Sequence, residues 1–553
     1  MCTSAPKSPP PQWCPRRGTI LVAFLILLVL MSLVVVGLVL SGARGHELTV
    51  LRAQGDRATH AAESAANMAV KELMDGVDRD GDGTIGAISD DGNTATDPVL
   101  GGTRLWATRA DSGGVTTITA RAQNADAVRA TRITSTQSGQ ASGVGVVYGT
   151  PTSNTPVFRT WNGSAWSAET PTADIGANPR WIVTAACPVR NELLAACGDT
   201  AEDLNVMVYD GTTWGSAQEL SNNLVTSGDR PFYAAYSQVS GTALVVYRVG
   251  GGANANHRTW NGMAWSGQQS TALPGTGSPK IVKLVPKPGA DEIMVLVLDN
   301  NNDLSAMVWN GTAFGNTLLL DANAAFSGQE CADAAYERSS GRCMVAWARG
   351  GTTVPRCRVW TGSAWQTESA MPDAGANVKQ MRLAADPASD KVIAMTLDSA
   401  ADVNLIVWNG SSWGPADEVQ SSVPNSDRRG VDVAFEPGGT RALAMYARSS
   451  QSTVRYRVYD GTNWSAEMVG PDISHPISVV QFMPAATGSE ILIGIERKND
   501  GAFVFMRWNG SALVGAQTLA GDLAGPNGNE CFMLSRGSEA LNPAITSWSA
   551  VEP

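Results

Sequence analysis

One six-residue motif recurs along most of the chain at a nearly constant interval. Each copy has Trp or Tyr, a turn residue, a glycine and two small or polar residues, and usually ends in a second aromatic. The eight copies begin at Trp161, Tyr209, Trp260, Trp309, Trp360, Trp408, Tyr459 and Trp508. Repeats of about 50 residues are typical of arrays in which each unit buries its apolar faces against its neighbours.

Each motif is predicted to be the turn of a β-hairpin. Asn-Gly or Asp-Gly between apolar, β-prone runs is the strongest short-range hairpin signal, and it predicts a type I′ turn with positive φ at both central residues. Another pair of apolar runs lies upstream of each motif, for example residues 232–237 and 243–249. The sequence therefore predicts four strands per repeat.

Eight units of four short antiparallel strands favour a β-propeller over a sandwich or a solenoid. We expect an all-β eight-bladed β-propeller at residues 139–553. Odd copies have motifs such as Ala-Ala-Tyr at 234–236 and 334–336 in the first strand, even copies have acidic or Asn-rich turns such as residues 299–303, and alternate motifs begin 99 or 100 residues apart. A two-blade module is therefore the expected ancestral unit. Residues 530–535 resemble an odd first strand, so we expect the C-terminal strands to close the propeller on blade one.

The composition suits a turn-rich β protein. Charged residues make up 16% of the chain, and glycine occurs 57 times. The formal net charge of −11 argues against a nucleic-acid partner.

Four of the eight cysteines flank two predicted hairpin turns. Cys187 would lie opposite Cys197, and Cys343 opposite Cys357, close enough for disulfides if the side chains share a face. Buried free thiols are the alternative. The chain has no Cys-x-x-Cys pattern, which argues against a zinc site.

Residues 19–41 form an uncharged apolar run that is long enough to cross a bilayer as a helix. Arg16 and Arg17 precede it, so the positive-inside bias places residues 1–18 in the cytoplasm and the rest outside. A single-pass anchor with an exported body is the expected arrangement. A cleavable signal is the alternative, although the run is longer than a signal core and no Ala-x-Ala site follows closely.

Arg17 and Gly18, followed by Thr19 and an apolar run, resemble the class III leader of type IV pilins and pseudopilins. The resemblance implies that a prepilin peptidase cuts between Gly18 and Thr19. Most major pilins have a glutamate at the fifth mature position, where this chain has Ala23; minor pilins of the PilX and GspK type commonly lack it. The implied partners are other pilin subunits, the pilus or secretion assembly machinery and the inner membrane.

The helical pattern continues from residue 43 to about residue 76, with apolar or alanine residues three or four apart. Residues 61–67 resemble the end of the PilX-type helix. The resemblance implies a long transmembrane pilin-like helix that packs on a small β-sheet. Residues 42–138 would complete this module with three strands, at 105–108, 115–121 and 127–135.

An acidic loop follows the helix. Asp78, Asp80 and Asp82 occupy positions one, three and five of an EF-hand-like or dockerin-like pattern, a glycine occupies position six, and the Thr84 carbonyl falls at position seven. Position twelve is Ser89 instead of a bidentate glutamate, which weakens the expected affinity. The loop predicts a Ca²⁺ site, with a solvated acidic turn as the alternative.

The second aromatics of the motifs have two interpretations. They pack between neighbouring blades, or they stack on sugar rings, as in tachylectin-like and fucose-binding lectins, which this pattern resembles in outline. Phe314 and Leu513 break the series. The candidates are Trp166, Trp214, Trp265, Trp365, Trp413 and Trp464.

No catalytic constellation is evident, because the four histidines are scattered and none lies beside an acid and a nucleophile in a recognisable spacing. We therefore expect a non-enzymatic, minor-pilin-like surface protein that displays a propeller for adhesion or ligand recognition, with glycans among the candidate ligands. One alternative is a membrane-anchored propeller enzyme that acts on extracellular polysaccharide. Another is a pseudopilin of a type II secretion system.

Overall fold

The computed structural model describes residues 17–75, 78–89, 93, 95–112, 115–136, 144–224, 228–324, 330–421, 423, 429–524, 530–536 and 544–551. The chain divides into two compact units. Residues 1–138 and 543–553 form the helix–sheet unit, and residues 139–542 form the repeat unit.

The helix–sheet unit begins with α1 (Arg17–Asp75), a helix of 59 residues. At 1.5 Å per residue it is about 90 Å long. Within the described residues, α1 is the one helix long and apolar enough to cross a membrane. Its large apolar side chains from Val22 to Leu40 are exposed, whereas the alanines from Ala58 to Ala69 are buried. The two halves of α1 therefore have different surroundings.

The second half of α1 packs on an antiparallel sheet. Leu105, Ile118 and Ile133 of the sheet share a buried cluster with the helix alanines, whose small side chains allow a close approach. The three strands predicted at 105–108, 115–121 and 127–135 are present and longer. In spatial order the strands are β1 (Val99–Leu100), β2 (Thr103–Ser112), β3 (Val115–Asn124), β4 (Ala127–Thr136) and β37 (Ala544–Val551).

The last strand corrects the expected domain boundary. β37 pairs antiparallel with β4, with Ala544 opposite Thr136, and so belongs to the helix–sheet unit. The prediction that the repeat domain extends to residue 553 is wrong at this end, because the unpaired edge of β4 accepts the chain terminus as a fifth strand. The expected leader, residues 1–18, lies outside the described residues up to residue 16.

The described residues of the repeat unit form eight four-stranded antiparallel sheets, which we number in chain order of their turn motifs. Sheet 1 consists of β5 (Val144–Tyr148), β6 (Val157–Trp161), β7 (Thr170–Pro171) and β36 (Phe532–Arg536). Sheet 2 consists of β8 (Pro179–Ala186), β9 (Leu193–Asp199), β10 (Leu204–Tyr209) and β11 (Trp214–Ser221). Sheet 3 consists of β12 (Phe232–Tyr236), β13 (Ala243–Tyr247), β14 (Asn254–Trp260) and β15 (Gln269–Ala272).

Sheet 4 consists of β16 (Pro279–Pro286), β17 (Ile293–Asp299), β18 (Leu304–Trp309) and β19 (Phe314–Asp321). Sheet 5 consists of β20 (Ala332–Tyr336), β21 (Cys343–Trp347), β22 (Arg356–Trp360) and β23 (Ser369–Ala370). Sheet 6 consists of β24 (Val378–Ala385), β25 (Val392–Asp398), β26 (Val403–Trp408) and β27 (Trp413–Gln420). Sheet 7 consists of β28 (Val431–Phe435), β29 (Ala442–Tyr446), β30 (Thr453–Tyr459) and β31 (Met468–Asp472). Sheet 8 consists of β32 (Ile477–Pro484), β33 (Ile491–Arg497), β34 (Phe503–Trp508) and β35 (Leu513–Ala520).

The first strand of sheet 1 comes from the far end of the repeat unit, as residues 530–535 had indicated. β36 pairs antiparallel with β5, with Phe532 opposite Tyr148. The first strands of successive sheets contact one another, and β36 contacts both β8 of sheet 2 and β32 of sheet 8.

Backbone hydrogen bonds join the sheets in pairs. An N–H on the first strand of each even sheet donates to a carbonyl just before the first strand of the odd sheet that precedes it. The bonds are Ile182 N to Glu530 O, Val282 N to Arg230 O, Met381 N to Glu330 O and Val480 N to Arg429 O, at 2.9–3.2 Å. The two-unit module predicted from the 99- or 100-residue step therefore has a structural counterpart.

The hairpin motifs turn by a different mechanism from the predicted type I′ turn. Gly163 has a φ of 88°, but Asn162 is not among the residues with positive φ. The Asn162 side chain instead accepts hydrogen bonds from the N–H groups of Ser164, at 2.9 Å, and Ala165, at 2.7 Å. Asp210 and Asp460 accept equivalent pairs in their own turns. The turn residue thus acts through its side-chain oxygen.

Candidate functional site

The two aromatics of each motif pack on each other. In the seven motifs with two aromatic residues, the ring centroids lie 5.0–5.5 Å apart. The six candidate tryptophans are all half-buried. The indole N–H of Trp265 donates to the Ser216 carbonyl at 3.2 Å, and that of Trp365 donates to the Asn316 carbonyl at 2.8 Å. These contacts reach the preceding sheet, as the packing interpretation requires; sugar stacking stays a prediction.

The first aromatics also link neighbouring sheets. The indole N–H of Trp260 in sheet 3 donates to Glu192 of sheet 2 at 2.9 Å, and Tyr236 donates to the same carboxylate. Three more pairs follow this arrangement, each joining one sheet to the next: Trp360 with Glu292, Trp408 with Glu337 and Trp508 with Glu436. A glutamate that accepts a hydrogen bond from an indole of the next sheet is therefore a repeated structural device; Glu192, Glu337 and Glu436 are buried, and Glu292 is half-buried.

The predicted disulfides are wrong. Cys187, Cys197, Cys343 and Cys357 are buried free thiols. β8 ends before Cys187, which lies in the turn, and the register places Cys197 opposite Ile182. On the other hairpin Cys343 lies opposite Trp360, and Cys357 lies opposite Ala346. The turns are centred differently from the sequence estimate, so neither pair faces across its strands.

The acidic loop wraps its carboxylates around backbone N–H groups. Asp78 accepts from Gly81 at 2.7 Å and from Gly83 at 2.9 Å, and these bonds lower the pKa of Asp78. Asp82 accepts from Thr84 N at 2.7 Å. Asp80 accepts from Ser89 N at 2.6 Å, but burial raises its pKa.

Glu72, at the end of α1, is a loop participant that the sequence pattern did not include. It is buried and accepts from Arg79 N at 2.8 Å and Gly86 N at 3.1 Å. Glu72, Asp78 and Asp80 each offer an oxygen within 4.8 Å of the others. The presence of an acidic residue upstream of the first loop aspartate is the sequence signal that could have identified this participant. Asp90 and Asp91, which follow Ser89 in the sequence, lie outside the described residues, and Gly18 and Thr19 lie in the first turn of α1.

The largest constellation of functional groups lies on the first strands of the repeat sheets, where the sequence analysis had assigned no site. One position per strand forms a series that follows the repeat. In the odd-numbered sheets it is the second residue of the first strand, and in the even-numbered sheets it is the fifth residue of the first strand. The series is Val183, Tyr233, Lys283, Asp333, Arg382, Asp432, Gln481 and Met533. Four consecutive members are charged, although the strands around them are apolar.

All members of this series except Val183 line a cavity of about 590 Å³, which we call the basin. Its walls include Tyr233, Lys283, Asp333, Arg382, Arg429, Asp432, Gln481, Met533 and Arg536, together with Phe435 and Phe482. The basin thus combines aromatic and aliphatic surface with cationic and carboxylate groups.

A buried cluster of alternating charges lies behind the basin wall. Arg230 is 3% exposed and donates to Glu530 at 2.6 Å and to Glu330. Arg382 also donates to Glu330, and Arg429 donates to Glu530 at 2.7 Å. Arg230, Glu330, Arg429 and Glu530 each precede the first strand of an odd sheet, about 100 residues apart along the chain. Their proximity depends on the assembly of four sheets.

Burial and charge compete in this cluster. Burial opposes ionisation of Glu330, but Arg230 and Arg382 outweigh it and hold the pKa of Glu330 well below its usual value. For Asp432 burial dominates over Arg382 and Arg429, so its pKa is raised. Burial likewise lowers the pKa of Lys283, although its ammonium lies 2.6 Å from Asp333.

Comparison with known proteins gives matches only among solved structures. No protein-family model matches the chain, and no curated protein matches it. The BP39L lectin from Burkholderia pseudomallei aligns with a TM-score of 0.46 and 12% identity over 62% of this chain and 100% of the lectin. The fungal Aleuria aurantia lectin, a six-bladed β-propeller with a fucose recognition mode, aligns with a TM-score of 0.31 and 14% identity over 60% and 99%. AofleA from Arthrobotrys oligospora aligns with a TM-score of 0.34 and 12% identity over 65% and 90%. The structural neighbours are thus lectins, of which the Aleuria aurantia lectin is a six-bladed β-propeller; this chain has eight repeat sheets in its described part.

Proposed function

We propose that the protein is a membrane-anchored recognition protein whose eight repeat sheets form a closed eight-bladed propeller and whose basin binds carbohydrate outside the cell. The observation that carries the proposal is the basin itself. Its volume falls within the range of small-molecule sites, which combine apolar surface with a few convergent polar groups. Sugar rings present apolar faces to aromatic side chains and hydroxyl groups to polar ones, and the basin offers both.

Support for the closed ring comes from the contacts between first strands. Each first strand contacts the next, and β36 completes the series between β32 and β8. Supplying this strand from the C-terminal end ties sheet 1 to both ends of the repeat unit, which is how a propeller avoids exposed sheet edges.

Binding is best tested with the full chain in detergent micelles on a panel of immobilised glycans. We expect retention of a subset of glycans without any change in their mass. Arg382→Lys, which retains a cation beside Glu330, should weaken binding more than Trp265→Phe, a matched change in a hairpin motif. Release of shortened products would contradict the recognition role and favour the polysaccharide-cleaving alternative. Binding that only the motif variant weakens would move the site to the hairpins.

We further propose that α1 is a pilin-like anchor that assembles with other pilin subunits in a pilus or a type II secretion system. The support is the leader resemblance at Gly18 and Thr19, together with a long helix whose second half packs on a small sheet. Co-expression with a prepilin peptidase should remove residues 1–18, seen as a mass loss. Gly18→Leu should block the cut and Gly37→Leu, a matched change in exposed helix, should not. An intact mass with active peptidase would contradict the pilin proposal and leave a plain anchor.

We also propose that the acidic loop binds Ca²⁺ through Glu72, Asp78, Asp80 and Asp82 and the Thr84 carbonyl. An all-oxygen donor set suits a hard cation, and a carboxylate from α1 supplements the loop. Ca²⁺ should raise the melting temperature of the helix–sheet unit in the full chain, and Asp80→Asn should remove the increase. Asp126→Asn, at an exposed turn, is the control. An equal response to Mg²⁺, or no response, would contradict the proposal.

A further inference from the structure

The side chains around the basin are not balanced between hydrogen-bond donors and acceptors. On the premise of the proposed function, that the basin binds carbohydrate, we infer that its ligand is an acidic sugar whose carboxylate is bound by Arg382 and Arg429. The inference rests on which polar atoms are already engaged and which are not.

The acceptors of the basin wall are occupied by the protein itself. Asp333 accepts from Leu383 N at 2.9 Å through one oxygen, and from Ala334 N at 2.7 Å and Lys283 through the other. Asp432 accepts from Phe482 N at 2.7 Å and from Val433 N at 3.0 Å. Each oxygen of both aspartates already accepts at least one hydrogen bond from the protein, which leaves fewer acceptor sites for ligand hydroxyls.

The side-chain amide of Gln481 is also engaged by the protein through its acceptor. Its oxygen accepts from Leu534 N at 3.0 Å, while its Nε2 has no acceptor within the described part of the chain. The side chain therefore presents a donor to the basin. It joins sheet 8 to sheet 1 through its oxygen and leaves its N–H groups available.

The donors, by contrast, are in surplus. Among the described residues, the hydrogen bonds of Arg382 use only Nη1, and those of Arg429 use only Nη1. Nε of Arg429 is buried without any described partner. The hydroxyl of Tyr233 also lacks a partner in the described ranges, and its ring lies under the guanidinium of Arg230, 4.8 Å from its centroid. Unsatisfied buried donors cost free energy that a ligand acceptor recovers.

Charge favours the same type of ligand. The basin and the cluster behind it hold five cationic side chains, Arg230, Lys283, Arg382, Arg429 and Arg536, and four carboxylates, Glu330, Asp333, Asp432 and Glu530. The chain as a whole has a formal net charge of −11. The basin is therefore a local cationic site in an acidic protein, and it attracts anions.

A carboxylate matches this geometry better than a hydroxyl does. A guanidinium donates through a planar fork that suits two coplanar carboxylate oxygens, and such charge-assisted bonds are stronger than neutral ones. The apolar part of the wall, Phe435, Phe482 and Met533, remains available for the sugar ring. A uronic acid residue supplies a carboxylate and an apolar ring face in one unit.

The test compares an oligouronate with the same oligosaccharide after its carboxyl groups are reduced to alcohols, with the full chain in detergent micelles. We expect reduction to weaken binding at least about 10-fold, the difference made by a hydrogen bond to a charged group. Binding of the oligouronate should also weaken as salt is raised, because ions screen the attraction.

Two variants distinguish binding of the carboxylate in the basin from non-specific attraction to positive charge. Arg382→Lys keeps a cation beside Glu330 but loses the fork, and should reduce the preference for the carboxylated form. Arg342→Lys is the matched control, since Arg342 binds Glu337 and the Gly410 carbonyl outside the basin. Thermal unfolding of each variant confirms that it is folded before binding is measured.

Four outcomes are distinguishable. Loss of binding on reduction, with loss of that preference in Arg382→Lys alone, supports the inference. Equal binding of both forms overturns it while the carbohydrate function stands. Binding of neutral or sulfated glycans in place of carboxylated ones also overturns it. A folded chain that binds no glycan at all contradicts the proposed function together with the inference.

Discussion

The hairpin motifs and the basin are built from the same eight repeats, yet they differ in how closely the copies agree. In the motifs nearly every copy supplies the same groups: an aromatic pair, an Asn or Asp oxygen and a glycine with positive φ. At the equivalent positions that line the basin the side chains differ in size and charge, from Tyr233 through Lys283 and Asp333 to Met533. Within this chain, the residues that pack the sheets together are nearly the same in every repeat, whereas the residues that line the cavity differ between repeats. Positions that break the repeat are therefore the better candidates for binding.

The largest expected effect on stability comes from removing β36, the strand that contacts the first strands of both sheet 8 and sheet 2. Deletion of residues 530–553 removes β36 and leaves sheet 1 without the strand between β32 and β8. We expect the repeat unit to lose its cooperative melt and to become sensitive to protease. Deletion of residues 544–553 is the control, because it removes only β37 from the helix–sheet unit. An unchanged melt after the longer deletion would disprove closure by β36.

The second prediction concerns a repeated buried glutamate. Glu192→Ala should lower the free energy of unfolding by about 2 kcal/mol or more, because Tyr236 and Trp260 lose their common buried acceptor. Denaturant unfolding measures the loss, and Glu219→Ala, at an exposed position, provides the control. The change should leave glycan selectivity intact. Similar stability in both variants would mean that the indole pairs do not hold neighbouring sheets together.

The third prediction tests the turn residue itself. Asn162→Ala removes the oxygen that accepts from Ser164 and Ala165 and should cost about 1 kcal/mol, since the turn is exposed and water replaces part of the loss. Asn162→Asp keeps the oxygen and should be nearly neutral, as Asp210 already occupies this role in another copy. Chemical unfolding compares the two. A large loss in the Asp variant would show that the amide, and not the oxygen, stabilises the turn.

The comparison also shows which features can be predicted from sequence. The motif spacing predicts four-stranded units and their number along the chain, because turns and apolar runs are local signals. It misses the true centres of two hairpins, so the pairings of Cys187 with Cys197 and of Cys343 with Cys357 are wrong. β9 and β21 are buried along their whole length, so their apolar runs do not alternate and leave the register unspecified.

The basin is missed for another reason. Lys283 and Arg382 look like isolated charges in apolar strands until the copies are aligned and the sheets are assembled. Arg230 and Glu330 contact each other because they precede the first strands of sheets 3 and 5, which both pack against the first strand of sheet 4. The addition of β37 to the sheet of the helix–sheet unit depends likewise on an edge of β4 that no local pattern reveals. Local patterns in this sequence do not predict contacts between segments that are distant along the chain.

The smallest expected effect is a difference between the two regions in how stability depends on pH, which should have opposite signs. Asp432, in the basin, has a raised pKa because burial outweighs Arg382 and Arg429. Its folded form holds a proton more tightly than the unfolded chain does, so its contribution to stability falls as pH rises through the raised pKa. Asp460, in a hairpin turn, has a pKa lowered by N–H groups of Asn463 and Thr462. Its contribution is present above the unfolded pKa and is lost as pH falls.

Asp432→Asn and Asp460→Asn should therefore change the melting temperature with opposite trends in pH. Relative to the unsubstituted chain, the Asp432 variant should become more stable as pH rises from about 4 to 7, because it no longer ionises a buried carboxyl. The Asp460 variant should instead become less stable, relative to the unsubstituted chain, as pH rises from about 2 to 5, since it lacks the carboxylate that the turn stabilises. Both keep a side-chain oxygen, so the difference isolates charge. Parallel trends would show that Asp432 is held ionised by its arginines, as strongly as Asp460 is by its turn.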